Sequence, residues 1–356
     1  MKKFLALVLA CLMVLALVAC GSKTDNTPAP ADSTPSQTDT TPAPAPADNT
    51  VYKMLVGSTV QDDSASGIAM IEYFKPYLEE KSGGRIQVDY QGNSVLGSDR
   101  ELYEALQLNT VQASFGPMST LANFEPNYAV CDFPFLFSDK EDAYAQLDGE
   151  FGAKLAENLP NVGMRLLAYG ENAFRNISNS KRAINTMEDL KGLKIRVMES
   201  PVNVATYTAM GTSPTPMAFS ELYTALQQGT VDGQDNGVVL TYTSKLYEVQ
   251  SYYTFTKHLY AANGMVVSEA FYQSLPADLQ QVLTDACKYA MDNQRRLNTE
   301  LEDSLLKEME AAGLKVNTLP EAEVAKLREA TSGVWDQMKD TIDPAIYDMA
   351  VAIRDN

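Results

Sequence analysis

Histidine is almost absent from this chain: His258 is the one instance in 356 residues. That excludes His-rich metal sites and leaves histidine-dependent catalysis a single candidate. Basic residues are scarce, 28 Lys and Arg against 46 Asp and Glu, for a net charge of −18. No basic excess is available to neutralise phosphates, so a nucleic-acid partner is excluded. The common catalytic signatures are missing too: there is no G-x-S-x-G, G-x-x-x-x-G-K, G-x-G-x-x-G, C-x-x-C or H-E-x-x-H. Adjacent acids such as Asp62-Asp63 and Glu79-Glu80 are the ordinary content of solvated faces in so acidic a chain. Asp232-Gly233-Gln234-Asp235-Asn236 lacks the terminal Glu and the full spacing of a calcium loop. No cofactor, no metal and no enzymatic activity are expected.

Cysteine numbers four. Cys11 lies in a leader: Lys2 and Lys3 form a positive start, and Phe4 to Val18 is an apolar run. At about 15 residues that run is short for a membrane span, which needs roughly 20, and it has secretory-signal form. It ends in Leu17-Val18-Ala19-Cys20, which resembles the bacterial lipobox, so Cys20 is expected to carry a lipid anchor. Losing Lys2 and Lys3 with the leader would deepen the charge from −18 to −20. Cys131 and Cys287 remain. They could pair in an oxidising compartment, but each sits among apolar neighbours and reads as a buried hydrophobe.

Residues 21–50 contain six Pro and no Val, Ile, Leu, Met, Phe, Trp or Tyr. Such a segment cannot bury enough apolar surface to offset its ordering entropy, so it reads as a disordered tether. A body of about 306 residues follows, 51–356. The full length exceeds what one core usually serves, roughly 250–300 residues, so two domains are expected.

Strand and helix patterns alternate through the body. Val51–Gly57, Arg85–Tyr90 and Val111–Phe115 read as strands; Ala65–Lys81 and Ser98–Leu108 read as helices. This alternation predicts an α/β fold with helices on both faces of a parallel or mixed sheet. An internal echo refines the expectation. Glu101–Val111 recurs as Glu221–Val231, identical at eight of eleven positions with an offset of 120. Both copies read as helix, tight turn, strand, which suggests two lobes of similar topology around a cleft where ligands prefer to bind.

Arg175 and Arg196 each lie inside a strand-like run with apolar neighbours. Alternation alone favours pointing them to solvent, with a cleft as the other option. A guanidinium is nonetheless the group best suited to clamp a carboxylate, because its planar fork offers two parallel donors.

Around these residues the chain resembles the DctP-type substrate-binding proteins of TRAP (tripartite ATP-independent periplasmic) transporters. The resemblance covers about 51–345. It rests on Gly83–Ile86, Leu96–Glu101, Asp132–Phe137, Glu188–Val197, Pro214–Tyr223 and Val231–Asn236. It implies a two-lobed periplasmic-binding-protein-like fold with a hinge and a long spanning helix. The run Pro276 to Gly313, with proline only at its start, looks like that helix. The expected first lobe is 51–172 plus about 262–300, and the second is 173–261 plus about 301–356.

The resemblance also implies a site. Arg196 matches the arginine that bridges the ligand carboxylate, Arg175 a second ligand-side arginine, Asn236 an asparagine on the carboxylate, and Phe219 an aromatic packed on the ligand. Asp235 and His258 match a Glu and a His that form a buried network with the second arginine. Without the resemblance, His258 beside Lys257 reads as a surface residue. Where the motif usually reads Gly-Gln-Glu-Asn-Pro, this chain has Gly-Gln-Asp-Asn-Gly, so Asp235 is a methylene shorter and Gly237 removes a rigid proline. Pro117 stands where sialic-acid binders carry a specificity glutamate, which disfavours that ligand. Glu199, in Arg-Val-Met-Glu-Ser-Pro, could accept from sugar hydroxyls or cap the helix that starts at Pro201.

The implied function is capture of a small organic acid outside the cytoplasm. A sugar acid such as a uronate is favoured, then a C4-dicarboxylate. Delivery would be to a small and a large TRAP membrane subunit, by a monomer held at the cell membrane through its lipid. The alternatives are a binding protein of another transporter or sensor system and, less well supported, a secreted hydrolase.

Overall fold

The computed structural model describes residues 50–355. The leader, Cys20 and residues 21–49 of the tether lie outside them. Nine strands form one sheet: β1 (Tyr52–Ser58), β2 (Ile86–Gln91), β3 (Ala113–Pro117), β4 (Met164–Asn179), β5 (Lys194–Val197), β6 (Ser213–Pro216), β7 (Gly233–Asn236), β8 (Tyr252–Ser268) and β9 (Lys315–Thr318). Their order is β2-β1-β3-β8-β4-β7-β5-β6, with β9 on β8. β1, β2 and β3 are mutually parallel, as are β5, β6 and β7. The long antiparallel pair β4 and β8 joins the two parallel groups.

The sequence echo is a structural repeat. Helix Asp99–Gln107 feeds β3, which lies between β1 and β8; helix Phe219–Gln227 feeds β7, which lies between β5 and β4. Both tight turns use a left-handed residue at the same repeat position, Asn109 (φ 54°) and Gly229 (φ 69°). Asn and Gly are the residues that tolerate this conformation after a helix. The first copy starts with a reciprocal cap between Ser98 and Glu101.

The expected helix over 65–81 is present, with a π-helical stretch at Ala69–Phe74 inside it. The long helix is Ala277–Ala311. Its first half buries Leu279, Leu283 and Ala290 in a core with Met54, Val56 and Phe74. Its second half packs Leu305 and Met309 against Val238, Val239 and Tyr253. One helix thus serves both ends of the sheet. After the long helix, residues as far as Leu327 follow the second lobe, since Leu319 and Leu327 pack with Ile177 and Ile195. The C-terminal boundary expected from sequence is corrected: Trp335, Ile346, Tyr347 and Ile353 return to the core of Tyr128, Phe133 and Phe151. Trp335 Nε1 fastens this return by donating to the Pro134 carbonyl at 3.1 Å. Cys131 and Cys287 are buried free thiols in two different cores.

The strand pair β4 and β8 is irregular where it passes between lobes. Its register shifts at Leu166/Ala168, Glu171/Ala173 and Arg175/Ile177. Such bulges re-aim side chains and bend the strand. The backbone groups they release are taken up. Asn176 Oδ1 accepts from the Thr256 and Lys257 amides, each at 3.1 Å. Gln294, from the long helix, accepts from the Glu171 amide at 2.9 Å and donates to its carbonyl at 2.7 Å. Ala173 sits between them at φ 118°, outside the ordinary range for a residue with a side chain. Gly237 abuts it: a Cβ at 237 would stand 2.8 Å from the Ala173 Cβ and 2.9 Å from the Asn172 carbonyl.

Gln294→Ala would leave both Glu171 backbone groups buried and unpaired. The expected loss is about 1–3 kcal/mol of stability. It should appear as a lower urea midpoint at an unchanged m-value. An unchanged midpoint would show that the clamp carries no weight.

Candidate functional site

Open α/β sheets place ligands beyond the carboxyl ends of their parallel strands. Here those ends face one another. Thr59 follows β1, Pro117 ends β3, Met198 follows β5 and Asn236 ends β7, and all four line one cavity of about 30 Å³. The first lobe adds Asp99 and Asn263; the second adds Arg175, Arg196 and Phe219. A larger surface groove of about 380 Å³ lies beside Arg295. Asp148 already neutralises that arginine through two contacts, so volume does not select the site.

Both arginines point inward. Arg175 is 1% exposed and Arg196 is 2% exposed, which overturns the solvent-facing reading of the strand alternation. They differ in their partners. Arg175 Nε and Nη2 donate to Asp235 Oδ2 and Oδ1 at 2.7 and 3.1 Å. The shorter acid still closes a two-point ion pair. Burial pushes the Asp235 carboxyl up, but Arg175 and His258 outweigh it and hold it well below the usual carboxylate range. His258 is fully buried, with Nε2 3.6 Å from Asp235 Oδ2 and 2.9 Å from the Tyr207 hydroxyl, and Nδ1 2.8 Å from Thr256 Oγ1. The structure therefore places Arg175, Asp235 and His258 together in one buried cluster. Arg175 Nη1 is left with no hydrogen-bond partner.

Arg196 has no acid. Its Nε and Nη2 both donate to a single carbonyl, Met217 O, at 3.0 and 2.7 Å. No described carboxylate comes within ion-pair distance. Burial, and then the charge of Arg175, push its guanidinium down to about 10, so it stays charged at neutral pH. A buried cation without a counter-ion is costly unless an anion arrives. Phe219 stands with its ring centre 6.0 Å from the Arg196 Cζ. Asn236 Oδ1 accepts from Asn172 Nδ2 at 3.4 Å.

Glu199 does not line this cavity, although its charge reaches Arg196 and Asp99. It lines a separate outer groove with Asn123 and Pro201, and its carbonyl accepts from Asn123 Nδ2 at 3.0 Å. It does not cap the helix either: Ser200 is the N-cap, accepting from the Asn203 amide. Strand β5 has ended by Val197, so its alternation does not carry residue 199 to the cavity.

Sequence reasoning missed Asp99, Thr59, Asn172 and Asn263. Asp99 reads locally as a first-turn helix acid, the ordinary place for a carboxylate. The structure buries it and gives it Thr59 Oγ1 as donor at 2.9 Å. Burial raises its carboxyl to about 6, against the pull of Thr59 and Arg196. The raised value means the native state holds this proton more tightly than the unfolded chain does. Stability from this group is therefore present at low pH and lost as pH rises through about 6. In the ligand-free protein, Asp99→Asn should be more stable than the wild type at pH 7, by at most about 3 kcal/mol. The gain should shrink towards pH 4. Denaturant titrations across that range would refute this if the gain were constant or grew on acidification.

The chain matches the family model of DctP, bacterial extracellular solute-binding protein, family 7, over residues 56–341. It is 40% identical over 263 residues to a solute-binding protein of Verminephrobacter eiseniae, covering 74% of this chain and 78% of that one. It is 33% identical over 245 residues to the 2,3-diketo-L-gulonate-binding periplasmic protein YiaO of Escherichia coli, covering 69% and 75%. The fold superposes on the sugar acid binding protein DctPAm of Advenella mimigardefordensis, solved with galactonate, at a TM-score of 0.83. That match has 32% identity and covers 86% of this chain and 98% of that one. With its two parallel strand groups facing one cavity across a shared hinge pair, this chain belongs to the DctP family of bacterial extracellular solute-binding proteins.

Proposed function

We propose that this protein captures a small organic acid, a sugar acid first among them, and hands it to the small and large membrane subunits of a TRAP transporter. The observation that carries the reading is Arg196, a buried guanidinium with two donors on one carbonyl and no counter-ion. A ligand carboxylate supplies the missing charge, and Arg175 Nη1 and Asn236 lie on the same cavity wall. The galactonate held by DctPAm supports a polyhydroxy acid as the guest. Binding without turnover fits a chain whose one histidine is buried behind Asp235 and engaged with Tyr207 and Thr256. No helix among the described residues is long and apolar enough to cross a membrane. Cys20 would hold a monomeric body to the outer face of the cell membrane through the Pro-rich tether.

Both walls of the cavity must meet the ligand, so the lobes close over it by bending at β4 and β8. The second lobe, which carries Arg175, Arg196, Phe219 and Asn236, binds first.

Calorimetry tests the clamp. Arg196→Ala should cost roughly 2–5 kcal/mol of binding, since the ligand anion is then buried unpaired. Arg196→Lys should also fail, because a point charge cannot supply the fork. Near-native affinity in both variants would remove the assignment. Small-angle scattering tests the motion. The radius of gyration should fall when ligand is added to the wild type, and Arg196→Ala should stay open at the same concentration. A constant radius with binding confirmed would mean rigid lobes.

A further inference from the structure

Behind the main cavity lies a second, smaller one of about 20 Å³. The two share four lining residues, Val60, Asn172, Leu240 and Asn263, which stand between them. The rear space holds room for about one water-sized group. It is polar: Glu171 and Asn298 line it together with Asn172 and Asn263. Two of its polar atoms lack a hydrogen bond, Asn263 Oδ1 and Glu171 Oε1. Asn263 is 6% exposed and Glu171 is 1% exposed. Glu171 Oε2 accepts from the Tyr144 hydroxyl, and Lys140 Nζ stands 3.5 Å from Oε1 as an ion-pair partner. Gln294 holds the backbone of Glu171, and Tyr144 and Lys140 hold its carboxylate.

Unpaired polar atoms therefore occur in two adjoining spaces, and they have opposite character. At the front the orphan is a donor, Arg175 Nη1, beside Arg196. At the rear the orphan is an acceptor, Asn263 Oδ1, since Glu171 Oε1 already has Lys140. A guest that satisfies both carries its carboxylate at one end and a hydroxyl at the other. We propose that the rear chamber at Asn263 and Glu171 is a subsite for the terminal hydroxyl of a linear polyhydroxy acid, and that it disfavours acids whose far end is a second carboxylate. This rests on the carboxylate clamp at Arg196 and adds the recognition of the opposite end. A second carboxylate has no proton to give and would leave Asn263 Oδ1 unpaired, whereas a hydroxyl donates to it.

The test is calorimetry of the wild-type protein with galactonate, 6-deoxygalactonate and succinate. Galactonate should bind about 10- to 100-fold more tightly than its deoxy analogue, because the analogue leaves a buried acceptor unpaired. In Asn263→Leu, or in Asn263→Ala if the first does not fold, that ratio should fall to within about threefold through weaker galactonate binding, as the acceptor for the terminal hydroxyl is gone. Equal wild-type affinities for galactonate and the deoxy analogue would overturn the subsite. So would a ratio that survives both Asn263 variants. Binding of succinate without galactonate would overturn the subsite while leaving the Arg196 clamp standing. Binding of none of the three would overturn both.

Discussion

Two guanidinium groups are withdrawn from water into one cavity, and the protein supplies an acid for only one of them. That imbalance organises the site. Arg175 is locked by Asp235, whose charge is in turn held by His258, so this cation is a fixed part of the wall. Arg196 is held in place by one carbonyl and keeps its charge uncompensated. Two like charges in a low-dielectric space repel, and the repulsion is relieved when an anion enters. The global charge of −18 works in the opposite sense, but exposed charges are screened beyond about 8 Å at physiological salt. Capture is thus a local property of buried donors.

The fold delivers these groups by symmetry of construction. Each lobe runs its parallel strands so that their carboxyl ends meet the other lobe's. The groups that line the cavity come from positions at or just beyond strand ends, as with Thr59, Met198 and Asn236, and from inside strands, as with Arg196 in β5, Arg175 in β4 and Asn263 in β8. The joining pair β4 and β8 is the weak point in the ladder, with three register shifts, the third of which skips residues of both strands. The side chains of Asn176 and Gln294 replace the lost strand bonds there. The joining pair is hydrogen-bonded there through side chains and not solely through backbone.

Much of this was legible in the sequence. The echo at 101–111 and 221–231 fixed two matching helix–turn–strand units, because helix caps and the left-handed turn residue are local signals. The long helix was legible from an uninterrupted run. The inward aim of Arg175 and Arg196 was not readable from alternation, since a strand pattern gives two faces without saying which one is covered. The resemblance to a family supplied that. Glu199 failed because the strand carrying Arg196 ends two residues before it. Asp99 was hidden by its own plausibility as a helix-start acid. The C-terminal return of Trp335 and Tyr347 depends on contacts across about 200 residues of sequence, such as Trp335 with Pro134, and no local pattern reports those.

The contact between Ala173 and Gly237 has a consequence for how this hinge can vary. Position 237 cannot accept even a methyl group while Ala173 keeps its place, and Ala173 already occupies a backbone conformation that favours glycine. A proline at 237 alone would collide with Ala173. A glycine at 173 would relax the strained φ and remove that collision, but the Asn172 carbonyl would still stand 2.9 Å from a Cβ at 237. The two positions therefore behave as one steric unit: a side chain after Asn236 requires both that residue 173 lose its methyl group and that the joining strand shift its backbone.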